Sequence, residues 1–423
     1  MGFLNSARSR LLRSPSLRNT GLLTLGTVFS QGIAVAGTPL LSRLFTPSDF
    51  GALAIFTSVI AVVATCVTLR YEINILVPKA DAEAEKLVIL SIFSALVLGS
   101  LITLASWCLP SAIADSWGIK LSTPWLPLAC LAGTVSSINA VLLLWLNRKL
   151  RYQNIATVKV IQSLIATLFA LILGFCGFQE GLLAAQLLSV LCALFFVGRY
   201  LPSFLNTQKR PVLKAAIKYK STVKYVLPTA VIDVLTLQLP ILMIAAMWGA
   251  SSAGQFSLAW RVLILPASIL GTAIGQVFFQ RFSIAWPDSK LAWTLVVRTW
   301  KFLALVGILP LLIIIFFGQE LFSLAFGSTW TESGKIASVL APMMFASLLH
   351  SPTSTSYIVL GLQKPVFFLS LAVMVYRPAS LWIGWKLGSL SLGLAILCIM
   401  EVLQILCFQY MVYKKVSERD CTS

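Results

Sequence analysis

Charge is what this chain lacks most. Only 11% of its 423 residues are Asp, Glu, Lys or Arg, against about 25% in soluble globular proteins. So little charge cannot clothe a water-facing surface, which excludes an ordinary soluble domain. Histidine occurs once, at His350, so a multi-histidine metal site is excluded. The eight cysteines, Cys66, Cys108, Cys130, Cys176, Cys192, Cys398, Cys407 and Cys421, show no Cys-x-x-Cys spacing and nearly all lie in apolar runs. They read as small packing residues rather than a disulfide frame. No phosphate-loop pattern occurs, so a chain driven by ATP would need another subunit. Acids are scarcer still, 14 against 32 bases.

What is present is apolar sequence, 58% of the chain. A hydrocarbon core about 30 Å thick takes roughly 20 helical residues to cross. Twelve runs of that size occur, near 20–42, 51–69, 87–109, 124–146, 155–176, 181–198, 226–248, 254–280, 299–317, 336–360, 366–385 and 390–412. The expected class is all-α integral membrane, with about 12 transmembrane helices. Small residues at Ala34-Val35-Ala36 have the form of a signal-peptide cleavage site. The long leading segment and the interruption by Ser30-Gln31 argue for a retained first span.

Basic residues sort by loop. One set of connections carries 26, from Arg8, Arg10 and Arg13 through Arg148 and Lys149 to Lys414, Lys415 and Arg419. The other carries Arg43, Lys120, Lys335 and Lys386. The positive-inside rule then places both termini in the cytoplasm.

Displacing the chain by 203 positions lays Gly51 on Gly254 and Ser48–Ile55 over Ser251–Leu258, each in the turn before a second span. The same displacement lays Ser30 on Asp233. Six spans per half give two six-helix bundles, 1–205 and 206–423, joined by a basic linker at about 199–224. Both halves enter from the same side, so their pseudo-twofold axis runs along the membrane normal. Two facing bundles are the architecture of an alternating-access carrier.

Particular residues add a family. Ser42-Arg43-Leu44-Phe45-Thr46-Pro47-Ser48-Asp49-Phe50-Gly51, then Thr68-Leu69-Arg70-Tyr71-Glu72 and Val77-Pro78-Lys79, resemble the opening of bacterial polysaccharide-biosynthesis membrane proteins. These are the O-antigen or capsule repeat-unit flippases of the superfamily that also holds multidrug and lipid II exporters. The resemblance implies a multi-pass protein of the cell inner membrane that moves an undecaprenyl-diphosphate-linked oligosaccharide without covalent chemistry. It implies membrane lipids, a polysaccharide polymerase and a chain-length regulator as partners, no organic cofactor, and H⁺ or Na⁺ as the coupling ion. Arg43 and Arg70 carry over as motif positions.

Charges inside spans cost on the order of 2.5–3.5 kcal/mol each at mid-bilayer and therefore face protein or water. Four stand out: Asp233, Arg261, Arg377 and Glu401. Arg377 and Glu401 lie at comparable depth on consecutive helices and read as either a structural ion pair or a coupling site. Arg261 has no acid on its own span and either snorkels outward or holds phosphate; Trp260 beside it anchors at the interface or stacks on sugar. Arg43, Arg70, Arg377 and Lys159 complete the candidate substrate contacts, with Gln162 expected on the same face as Lys159. Asp233, between Pro228 and Pro240, is a candidate proton or cation relay in a bent helix.

Other features read more plainly. His350 and the hydroxyls at Ser351, Thr353, Ser354, Thr355 and Ser356 serve as hydrogen-bonded core or as sugar contacts. The acid-free stretch Lys209–Lys224 reads as a basic amphipathic helix on the anionic inner leaflet rather than a nucleic-acid site. Asp81, Glu83 and Glu85 read as a solvated loop. Clustered carboxylates, which glycoside chemistry needs, are missing, so a polymerase or glycosyltransferase is disfavoured and no enzyme is expected. An ion-coupled multidrug exporter is the second reading. Such a pump wants an acidic, aromatic cavity, whereas bases here are at least as numerous as acids within the spans.

Overall fold

The computed structural model describes residues 15–108, 124–200, 212–286 and 288–420. Arg8, Arg10, Arg13, Asp115, Lys120, Lys209, Arg210 and Cys421 lie outside them. Every element among the described residues is helical. The long helices are α1 (Pro15–Leu44), α2 (Pro47–Val67), α3 (Asp81–Trp107), α4 (Trp125–Arg148), α5 (Tyr152–Phe175) and α6 (Gly181–Gly198). After a short α7 (Val212–Lys218) come α8 (Leu227–Trp248), α9 (Ala250–Ala285), α10 (Ser289–Phe326) and α11 (Thr331–Thr353). A short α12 (Ser356–Leu360) precedes α13 (Gln363–Lys386) and α14 (Leu390–Asp420).

Eleven of these helices are long and apolar enough to cross a membrane, and the chain is a multi-pass membrane protein. Large side chains such as Leu305, Phe316 and Leu324 on α10 are at least 70% exposed. In water such a surface would be a liability; against acyl chains it is solvated.

The apolar runs locate the lipid-crossing parts, yet the helices outlast them. The run near 299–317 lies within α10, whose 38 residues extend about 57 Å at 1.5 Å per residue. Lys290 and Arg298 on its first turns add charge that hides the helix from a hydropathy reading. The helix turns at Phe317, where φ is −121° and ψ 18°. The run near 336–360 divides into α11 and α12 beyond Pro352. Helix α8 is continuous through Pro240 and is preceded by a π turn at Thr222–Val226.

Contacts divide the chain into two units, each with its own core. The first comprises residues 1–45 and Ala52–Gln238. Val67, Ile75, Leu87, Val141, Leu142 and Trp145 are buried together there. Lipid supplies no hydrophobic drive between helices, so small residues that allow close approach set the seams. Along α1 and α5, a Cβ on Gly26 would lie 2.4 Å from Ala156, and one on Gly37 2.3 Å from Thr167.

The second unit comprises Thr46–Gly51 and Leu239–Ser423, with Phe278, Phe282, Val296, Phe408 and Val412 in one core cluster. Six residues of the α2 start thus pack with the C-terminal part of the sequence. A Cβ on Gly51 would lie 1.8 Å from the Ala250 carbonyl oxygen, and one on Gly254 1.8 Å from that of Pro47. The contact is reciprocal, since 47 and 51 displaced by 203 become 250 and 254. Beside it Phe50 meets Trp330 edge-on at 4.8 Å. Gln255 is tied to the Thr329 carbonyl at 2.8 Å and to the Ser333 hydroxyl and backbone N–H.

Gly254→Val forces backbone apart, an overpacking cost of about 1–3 kcal/mol. The expected result is a melting temperature several degrees lower in detergent. Gly32→Ala, with nothing within 4 Å of its added carbon, is expected to leave it unchanged.

Candidate functional site

In the first unit, Lys159 projects from α5 onto α1, where its Nζ donates to Thr27 Oγ1 at 3.1 Å. One turn on, the Ser163 hydroxyl donates to the Ser30 carbonyl at 2.6 Å. The lysine is therefore held by a hydroxyl of the neighbouring helix rather than by Gln162. No carboxylate pairs with it among the described residues.

Arg43 is exposed in the last turn of α1, where a cation also complements the helix dipole. Thr229, Asp233 and Leu237 form one exposed strip on α8. Asp233 has no ion pair among the described residues.

Arg70 occupies the turn after α2 in a left-handed conformation, φ 60°, directly after Leu69 at φ 52°. Non-glycine residues in this region carry strain. Its Nη1 donates to Glu72 Oε1 at 3.2 Å, and Glu72 is 5% exposed. Thr68 Oγ1, Arg70 Nε and Glu72 Oε2 are buried with no hydrogen-bond partner.

The following loop is clamped from α4. Arg148 donates from Nη1 to the Ile75 carbonyl at 2.9 Å, from Nη2 to that of Lys79 at 3.3 Å, and from Nε to Asp81 at 3.0 Å. Lys149 adds a second bond to Asp81 at 2.6 Å. Asp81 is thus an anchored carboxylate rather than part of a free loop. Replacing Arg148 by Ala removes three hydrogen bonds worth about 1 kcal/mol or more each. Amide exchange over 71–80 is expected to accelerate at least tenfold, with α5 unaffected.

Helix α7 buries Ala215, and Lys218 and Tyr219 both bond Glu83 on α3. The Glu83 carboxylate holds the Lys218 ammonium above its ordinary range. Asn74 Nδ2 donates to Thr222 Oγ1 at 2.8 Å. The described part of the linker is thus tied to α3 through an acid 135 positions earlier in sequence, beyond any local pattern.

In the second unit, the Arg377 Nε donates to Glu401 Oε1 at 2.5 Å, with side chains 14% and 6% exposed. The two meet as their depth on consecutive helices suggests. Nearby, Tyr376 Oη is buried without a hydrogen-bond partner.

Arg261 is exposed and has no hydrogen bond or ion pair among the described residues. It lies about 16 Å along α9 from its start at Ala250, at 1.5 Å per residue. Trp260 packs against Phe256, ring centroids 5.6 Å apart. His350 sits edge-on to Phe408 at 4.7 Å and bonds Gln409, as a hydrogen-bonded core histidine does.

Residues 40–335 match the model of the family described as polysaccharide biosynthesis protein, so the chain belongs to that family. It is 23% identical over 407 residues to the succinoglycan biosynthesis transport protein ExoT of Rhizobium meliloti (strain 1021), covering 94% of this chain and 80% of that relative. The fold is shared with solved membrane proteins. The lipid II flippase MurJ in an inward closed conformation superimposes with a TM-score of 0.72 at 15% identity, over 93% of this chain and 89% of that one. An inward-facing multidrug resistance MATE family transporter gives 0.58 at 16% identity, over 94% and 96%.

Proposed function

We propose that this chain is an alternating-access flippase that carries an undecaprenyl-diphosphate-linked oligosaccharide repeat unit across the inner membrane for O-antigen, capsule or exopolysaccharide assembly. The observation that carries the reading is Arg261: an exposed guanidinium about three turns into an apolar helix, with no carboxylate to neutralise it among the described residues. A cation left without a counter-charge on an apolar helix is suited to an anion that visits it. A guanidinium holds phosphate oxygens in a bidentate fork and stays charged at every relevant pH.

In this reading the chain has twelve spans in two six-helix bundles, 1–205 and 206–423, related by a pseudo-twofold axis along the membrane normal, both termini cytoplasmic. The reciprocal contact of Gly51 and Gly254 supports it. Arg43, Arg70, Lys159 and Trp260 add cationic and aromatic contacts along the path. Arg377 and Glu401 tie one helix pair together. Asp233 binds the coupling H⁺ or Na⁺, and a polymerase and chain-length regulator use the delivered unit. The name of the succinoglycan relative supports a polysaccharide-linked cargo.

The test is translocation of a fluorescent undecaprenyl-diphosphate oligosaccharide in proteoliposomes under an imposed ion gradient. Wild-type protein is expected to expose the glycan to an external lectin. Asp233→Asn is expected to lose acceleration by the gradient, keeping only the slow gradient-independent rate. Transport of organic cations instead, with no lectin signal, would replace this reading by a multidrug exporter.

A further inference from the structure

We propose that a cavity among α10, α11 and α14, within the second unit, binds the ammonium headgroup of a phosphatidylethanolamine-type phospholipid. The cavity holds about 400 Å³ and is walled by Trp293, Trp300, Tyr410 and Tyr413, with His350 and Gln409 at its floor. No Asp, Glu, Lys or Arg lines it among the described residues.

The floor hydrogen bonds run in one direction. The Thr353 hydroxyl donates to the His350 carbonyl at 3.1 Å. It accepts from Trp300 Nε1 at 3.4 Å and from Gln409 Nε2 at 3.2 Å. The Gln409 amide contacts His350 Nδ1 at 3.1 Å with its N–H₂ group, so that nitrogen accepts and the ring is neutral. Both amide protons of Gln409 are thereby used. Its Oε1 is left with no partner, on a side chain 8% exposed. A buried carbonyl oxygen without a donor costs free energy, and none of the bonds among Trp300, Thr353, His350 and Gln409 supplies one.

A fitting ligand brings N–H or O–H to Gln409. The aromatic walls around it favour positive charge, since the aromatic quadrupole attracts cations, more strongly once they are desolvated. An anion would meet a lone carbonyl oxygen, which repels it. Trp and Tyr concentrate where bilayer meets water, and Lys414 and Lys415 are exposed immediately beyond Tyr413. A primary ammonium in the cavity and its phosphate against these lysines match one zwitterionic lipid. The occupant is a component of the bilayer, separate from the transported glycolipid.

The experiment is native mass spectrometry of the full chain released from bilayers of equal phosphatidylethanolamine and phosphatidylglycerol. Wild-type protein is expected to retain the ethanolamine lipid preferentially. Gln409→Leu is expected to lower that preference about tenfold, roughly one lost charge-assisted hydrogen bond. Gln409→Glu, which keeps the size and adds a negative charge, is expected to raise it. Phosphatidylcholine, a cation without N–H donors, should bind wild type less well than the ethanolamine lipid, and Gln409→Leu should erase that difference. Equal retention of both lipids by wild type would overturn the assignment, as would an unchanged ratio in both Gln409 variants. Displacement of the lipid by a free neutral oligosaccharide would also overturn it and make the cavity a sugar site.

Discussion

Replacing Arg261 by Ala is expected to lower translocation of the diphosphate-linked glycan at least tenfold while leaving the melting temperature and membrane yield as they were. The guanidinium makes no ion pair or hydrogen bond with the described residues, so its removal strands no partner and costs the fold little. What is lost is a charge-assisted contact worth about 1.5–3 kcal/mol. Arg261→Lys keeps the charge but not the planar fork, and an intermediate rate is expected. Full activity of Arg261→Ala in the lectin assay would remove the anion-holding role.

Glu401→Ala has the opposite signature. Arg377 and Glu401 are both mostly buried and bonded at 2.5 Å, so deleting the carboxylate leaves a guanidinium buried without its counter-charge. Breaking such a pair costs about 3–5 kcal/mol, a fall in melting temperature of about 10 °C in a chain with domains of this size. Exchanging the two side chains, Arg377→Glu with Glu401→Arg, is expected to restore both the melting temperature and transport. Restored stability without transport would assign the pair to ion coupling instead.

Several levels of this molecule were legible in sequence because their causes are local or periodic. Low charge and runs of membrane length gave the class, and the helices coincide with the runs except where charged turns prolong them, as at Lys290 and Arg298. The Arg377–Glu401 contact followed from two helices joined by a short turn, which fixes relative depth. Other contacts had no such cue. Arg148 reaches carbonyls 69 and 73 positions earlier, and a carbonyl acceptor carries no side-chain signature. Asp81 and Glu83 looked solvated because their partners, Arg148 and Lys218, are distant in sequence. The polar floor at Gln409 was invisible as well. His350 and Thr353 suggest a patch, but Gln409 lies on a helix more than fifty residues away.

Thr46–Gly51 has a consequence for dissecting the protein. These residues belong by packing to the C-terminal unit, although the sequence on either side of them belongs to the other. A C-terminal fragment beginning near residue 212 would leave Trp330 without the Phe50 ring and leave a notch at Gly254 where the Pro47 backbone rests. Expressed by itself it would present raw, unpaired surface. Co-expression with the complementary N-terminal piece would restore what that surface needs, making the pair suited to split-protein complementation.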